Sequence, residues 1–155
     1  MLIFIQMIIK QQVFNEFCRQ IDLKIHAASQ SLVEANESVL SETKGSVGDK
    51  HETGRAMAQL EVEKASKILS ETKLMKSIIQ LLLPEKIKMK AELGALIETD
   101  LGIFYLSTGI GKIQIENQIV FCIGMNSPIG KSMLDRKINE NFIFLENVGT
   151  ILKIS

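Results

Sequence analysis

From Phe14 onward, apolar or small residues return at Cys18, Ile21, Ile25, Ala28, Leu32, Ala35 and Val39, in alternating steps of four and three. That spacing is the seam of a heptad helix, a narrow stripe that needs a partner helix to cover it. Glu16, Arg19, Gln20, Asp22, Lys24, Gln30, Glu34 and Glu37 lie between the seam positions, which leaves the other faces to solvent. The pattern breaks at Lys44-Gly45-Ser46-Val47-Gly48-Asp49, where two glycines and a serine favour turn conformations over helix. Beyond this loop, Ala58, Ala65, Ile68, Met75, Ile79 and Leu82 resume helical spacing with interruptions at Glu61 and Thr72, and Pro84 ends the run. Glu63 and Lys67 add an i,i+4 pair on an exposed face. Two such helices of about 30 residues, each roughly 45 Å long at 1.5 Å per residue, predict an antiparallel coiled-coil hairpin over 1–84 with its tip at about 44–54.

After the charged stretch Glu85 to Lys90 the period changes. Leu96-Ile97, Ile103 to Leu106, Ile113-Gln114-Ile115 and Ile119 to Ile123 are short β-branched or aromatic runs, read as strands. Turn signals at Asp100 to Gly102, Gly109 to Gly111 and Glu116-Asn117 separate them. Ser127-Pro128 opens a short helix through Leu134, with proline in its first turn. Phe142 to Leu145 and Ile151 to Ile154, joined around Asn147-Val148-Gly149, complete a small antiparallel sheet. The expected class is therefore α+β: a helical hairpin followed by a sheet domain over 91–155 with one short helix, the boundary falling near 84–91.

Composition narrows the functions. The 155 residues are 46% hydrophobic, enough for a core, and 18 basic against 18 acidic side chains leave no net charge to attract a nucleic acid or an anionic membrane. There is no tryptophan and one tyrosine, hence no platform for stacking bases. Cys18 and Cys122 are far apart in sequence with no Cys or His at ligand spacing, which argues against zinc and disulfides and for a reducing cytoplasm. The apolar run Met1 to Ile9 stops at Lys10, too soon to span a bilayer, and it lacks the charge and cleavage pattern of a secretory signal. Two readings remain, a hydrophobic cap on the following helix or codons upstream of an initiator at Met7, and we prefer the second.

Candidate chemistry is sparse. Gly130-Lys131-Ser132 follows a strand, but Met125 stands where a phosphate loop needs its first glycine. His26 has no ligand partner, and no single loop assembles a nucleophile, a base and an orienting group, which leaves only sets brought together by the fold. Gly48-Asp49-Lys50-His51-Glu52 has two readings. Asp49 as N-cap with Glu52 three residues on makes a capping-box-like helix start. The same two carboxylates, one turn apart at the end of a hairpin, are also suited to share Mg²⁺ with another molecule, since that ion accepts one or two carboxylates and keeps its waters.

The arrangement resembles the Gre-type transcript cleavage factors of bacterial RNA polymerase. The coiled coil with Gly48-Asp49-x-x-Glu52 at its tip carries the resemblance, as does Asn126-Ser127-Pro128-Ile129-Gly130-Lys131-Ser132-Met133-Leu134, which is similar to the family's Asn-Ser-Pro-Ile/Leu-x-x-x-Leu segment. The resemblance implies an FKBP-like C-terminal domain that docks on the rim of the polymerase secondary channel through Asn126, Ser127 and Pro128. It implies a coiled coil that enters the channel, and Asp49 and Glu52 helping to hold a second Mg²⁺ in the polymerase active site, near the nascent RNA 3′ end, so that backtracked RNA is cleaved. It implies no membrane, no small-molecule substrate and, at the level of the family, DNA binding. Thr53-Gly54-Arg55-Ala56 stands where the family has Asn-Ala-Glu-Tyr, and the family's opening threonine and glycine are missing, which implies a divergent member. The alternatives are a channel occupant that inhibits or modulates polymerase without cleavage, and a peptidyl-prolyl isomerase suggested by the FKBP-like domain.

Overall fold

The structure, a computed structural model, describes residues 1–43 and 49–155, and the side chains among them other than those of 2–8, 43 and 49–51. With no proline or glycine to interrupt it, the first segment forms one 42-residue helix, α1 (Leu2–Thr43), followed by the 29-residue α2 (Asp49–Ser77). The chain divides into two compact units, residues 21–77 in one and residues 1–20 with 78–155 in the other. Helix α1 therefore contributes to both, and the change of period near 84–91 falls inside the second.

In the helical unit the predicted seam of α1 holds: Ile21 and Ala28 are buried, and Ile25, Leu32, Ala35 and Val39 are half-buried. On α2 the seam is Ala58, Val62, Ala65, Leu69, Thr72 and Met75, buried or half-buried in turn. Ile68 lies outside it, 47% exposed. Thr72 is no interruption; it is buried in the seam because its hydroxyl donates to the Ile68 carbonyl oxygen at 2.8 Å, which satisfies the one polar atom that burial would strand. Glu61 stays exposed beside the seam residue Val62. The helices run antiparallel. Lys76 Nζ meets Asp22 Oδ1 at 2.8 Å, Leu32 shares a groove with Ser66 and Leu69, and Gly54 faces the Glu42 carboxylate, so partners descend α2 as they ascend α1.

The second unit is built on a six-stranded sheet. Its elements are α3 (Ile79–Leu82), β1 (Leu96–Thr99), β2 (Gly102–Ser107), β3 (Gly111–Ile115), β4 (Gln118–Gly124), α4 (Pro128–Met133), β5 (Asn141–Phe144) and β6 (Asn147–Ile154), and the strand order is β3-β4-β2-β1-β6-β5. The sheet is mostly antiparallel, and the exception is β2 with β4, paired in parallel because β3 lies beyond β4 and its hairpin returns β4 to the place beside β2. The turn expected at Asn147-Val148-Gly149 lies earlier. Leu145 and Glu146 make it, both at positive φ, while 147–149 belong to β6. Gly149 serves close approach there, since a Cβ would collide with the Phe142 ring and Leu101.

Alternation along β2 sorts the sheet's two faces. Phe104 and Leu106 join Ile97, Met133, Phe142 and Ile151 in one core, where the Phe104 ring centroid lies 5.5 Å from Phe121, 6.0 Å from Phe142 and 5.8 Å from Phe144. Tyr105 points the other way, its ring edge-on to Phe17 of α1 at 5.8 Å. Phe17 and Val13 are fully buried, so the stretch of α1 around Phe17 belongs with the sheet's second face, and the half-buried Phe14 and Cys18 flank that contact. Burial raises the Tyr105 phenol and pushes the Cys122 thiol beside it up to about 12, against the opposing effect of a Ser107 hydrogen bond, which leaves both groups neutral packing elements.

Lys10 ties the same stretch of α1 to the segment after Pro84. It is 1% exposed, and its ammonium donates to the Lys86 carbonyl oxygen at 2.7 Å. Burial first, and the nearby Lys88 charge second, lower its pKa to about 8, while Glu85 and Glu92 oppose them. Lys88 is itself buried and pairs with Glu92 at 2.9 Å, which holds the Glu92 carboxyl below the usual carboxylate range. Among the described residues no helix is long and apolar enough to cross a membrane.

Candidate functional site

Two places carry the residues singled out by sequence. At the first, α2 begins at Asp49, where the acidic motif predicts a helix start. Glu52 sits in that first turn with its side chain exposed, followed by exposed Arg55. The tip loop 44–48 and the Asp49 side chain lie outside the described residues. Among the described residues no group of three or more His, Cys, Asp or Glu is placed to hold a metal ion. Glu52 thus fits Mg²⁺ only as a donor to a site completed by other ligands, since a hard cation needs about six oxygens.

The second place is the start of α4. Ser127 has extended backbone geometry, and its hydroxyl accepts from Gly130 N at 3.0 Å while donating to the Gly124 carbonyl oxygen at 2.7 Å. It is an N-cap with both hydrogen-bonding roles in use, and Pro128 takes the first helical position, where no amide donor is required. Gly130 is demanded by proximity: a Cβ there would run into the Gly124 carbonyl oxygen. Of the three expected docking residues, Asn126 and Pro128 are exposed and Ser127 is half-buried by its capping bonds.

Pro128 borders something the sequence did not announce. Between α4 and β5 runs an open apolar groove of about 640 Å³, lined by Pro128, Ile129, Lys131, Ser132, Ile143, Phe144 and Leu145. A smaller hollow of about 310 Å³ adjoins it through Ser132 and Ile143 and adds Arg136 and Val148. Three apolar side chains here stand in water: Ile143 at 62% exposed, Leu145 at 77% and Val148 at 62%. Within β5 the inward Phe142 and Phe144 send Ile143 outward, and Leu145 follows in the turn.

The aromatic rings of the sheet unit pack on one another, with Phe104 among Phe121, Phe142 and Phe144. Comparison with protein-family models, with curated proteins and with solved structures gives no match.

Proposed function

We propose that the chain is an accessory factor of bacterial RNA polymerase that acts through the secondary channel and stimulates cleavage of backtracked RNA in the cytoplasm. The observation that carries this reading is the antiparallel pairing of α1 with α2, which sets exposed Glu52 in the first turn of the returning helix. The sheet unit supplies docking through Asn126, Ser127 and Pro128. The capped α4 start holds this segment in one conformation, so binding does not have to order it.

In this reading Asp49 and Glu52 are ligands lent to a Mg²⁺ ion that the polymerase alone holds weakly. When bound, that ion supplies charge stabilisation at the attacking water and the scissile phosphate. The chain's own residues position the two carboxylates; the cleaving site belongs to the polymerase, and the factor is not itself a nuclease. A second reading, occupancy of the channel without cleavage, is favoured by exposed Arg55 three residues after Glu52, a cation where a further acid would strengthen a metal site.

The test is cleavage of a stalled, backtracked transcript by polymerase with the unsubstituted protein, Asp49→Asn and Glu52→Gln. Asn is as good an N-cap as Asp, and Gln keeps the reciprocal capping bond, so melting should hardly move. Cleavage should fall steeply in both variants, most at low Mg²⁺. If the unsubstituted protein binds polymerase and slows elongation without cleavage at any Mg²⁺ concentration, the second reading replaces the first. Proline-isomerisation activity would reject both.

A further inference from the structure

A second line of residues on α1 repeats the heptad spacing on the side away from α2. Leu23, His26, Gln30, Val33, Glu37 and Leu40 follow one another in steps of three and four, turned roughly 150° from the seam at about 100° per residue. All six are exposed, the apolar ones at 50% for Leu23, 51% for Val33 and 59% for Leu40. Among the described residues, His26, Gln30 and Glu37 have no side-chain partner within the chain. A helix that only has to cover α2 needs one apolar stripe, and its far side is ordinarily polar. Branched apolar residues at heptad spacing on that far side are the pattern of a second helix contact.

The order of residues along the line says what it fits, because the line is complementary to itself when reversed. In an antiparallel helix pair, the two kinds of seam position alternate and each packs against the other kind on its partner. About a two-fold axis between Gln30 and Val33, Leu23 meets the partner's Leu40, His26 the partner's Glu37, and Gln30 the partner's Val33. Symmetry makes each contact twice. The line's carboxylate and its imidazole thus fall on each other, and leucines close both ends. Other pairings of the same surface fit worse. A parallel pair would set Glu37 against Glu37 of its copy, and like charges repel. Packing on the exposed outer line of α2, which runs through Met57, Leu60, Lys64, Lys67, Glu71 and Leu74, would bring two lysines into the middle of the contact, where their desolvation opposes it. We infer that the outer line of α1 is a homodimer surface, on which a second copy of this chain lays its own α1 antiparallel. Eighteen residues at 1.5 Å each make a contact about 27 Å long, well short of an obligate interface, so the dimer is reversible. The inference does not rest on the polymerase reading.

The test is sedimentation velocity of the full chain from about 1 µM to about 1 mM, with thermal melting to check that each variant keeps its fold. The unsubstituted protein should pass from monomer to dimer as concentration rises and stop there. Leu40→Glu should weaken the dimer at least about tenfold, because it sets a carboxylate on the partner's Leu23; melting of the monomer should hardly move, since the position is exposed and Glu is a good helix former. His26→Glu or Glu37→Lys alone should also weaken the dimer, by placing like charges opposite each other. The two together should restore it to within about threefold, since opposite charges then face each other in reversed order. Leu60→Glu on α2 should leave association unchanged. A monomer at every concentration, growth beyond the dimer, indifference to Leu40→Glu, failure of the paired charge exchange to restore association, or loss of association in Leu60→Glu would each overturn the inference.

Discussion

The helical unit and the sheet unit are stabilised by different means. Among the described residues of 21–77 the seam is narrow and its buried members are mainly small: Ala28, Ala58 and Ala65 with Thr72, beside a single large buried side chain, Ile21. Leu60, Met57 and Leu74 remain more than 60% exposed. In the sheet unit, Phe17, Phe104, Tyr105, Leu106, Phe142, Met133 and Ile151 are buried almost completely. Apolar burial contributes about 25 cal/mol per Å², so the two units differ severalfold in what each buried residue adds. A helix pair needs only periodicity to form, and a thin seam suffices for it. The sheet needs side chains from distant parts of the chain, including α1, and in exchange holds the capped start of α4 in one conformation.

The comparison breaks most directly at Phe17. Phe17→Ala should cost about 3–5 kcal/mol, because the ring is fully buried against Tyr105 and leaves a cavity, whereas Ile68→Ala, at a half-exposed position on α2, should cost less than about 1 kcal/mol. Chemical denaturation of the two variants side by side checks this. Similar losses would mean that the two units are stabilised alike.

A pair of glycines sharpens it next. Gly130→Ala drives a Cβ into the backbone oxygen of Gly124, which cannot yield without moving α4, so a loss of about 2–3 kcal/mol is expected together with weaker docking. Gly54→Ala meets only the end of the flexible Glu42 side chain, 2.7 Å from the new Cβ, and gains helix propensity, for a net change between zero and about 1 kcal/mol of stabilisation. The same substitution should therefore have opposite signs in the two units, and thermal melting would show it.

Lys10 gives the sheet unit a pH signature. Its pKa in the fold, about 8, lies below the ordinary 10.5, so the unfolded chain binds more protons between those values. Stability should rise with pH across that window, on the order of 3 kcal/mol, and the penalty should be fully present below pH 8. Lys10→Met should flatten this rise in denaturation curves measured from pH 7 to the alkaline limit. A rise that persists unchanged in the variant would assign it to another group.

The smallest contrast is between surface ion pairs. Glu16 accepts two bonds from Arg19 and one from Gln20, which hold its carboxyl down at about 2. Its contribution is present above the ordinary glutamate pKa of 4.5 and is lost as pH falls toward 2. Lys67 and Glu71 on α2 are 4.0 Å apart and both exposed. Glu16→Gln should cost less than about 1 kcal/mol and Glu71→Gln nearly nothing, the difference appearing only in low-salt melts.

Much of this protein is local and is therefore readable along the chain. The heptad seam from Ile21 to Val39, the six strands, and the Ser127-Pro128 cap each follow from spacing or from one residue's backbone preference, so the expected docking segment was recognisable before any packing was known. What tertiary structure decided is which faces meet. Spacing placed Phe14 and Cys18 on the seam, yet the deepest burial at that end is at Val13 and Phe17, because a sheet face contributed by residues 96–122 covers that side. Thr72 reads as a break until its hydroxyl finds the Ile68 carbonyl, and Asn147-Val148-Gly149 reads as a turn until Phe142 claims the space over Gly149. The parallel β2–β4 pairing and the exposed Ile143, Leu145 and Val148 are likewise products of contacts between distant segments. Periodicity records that a residue is to be buried or solvated on its own element; only the fold supplies the opposing surface, and where it supplies none, as at the α4–β5 groove, an apolar side chain is left in water.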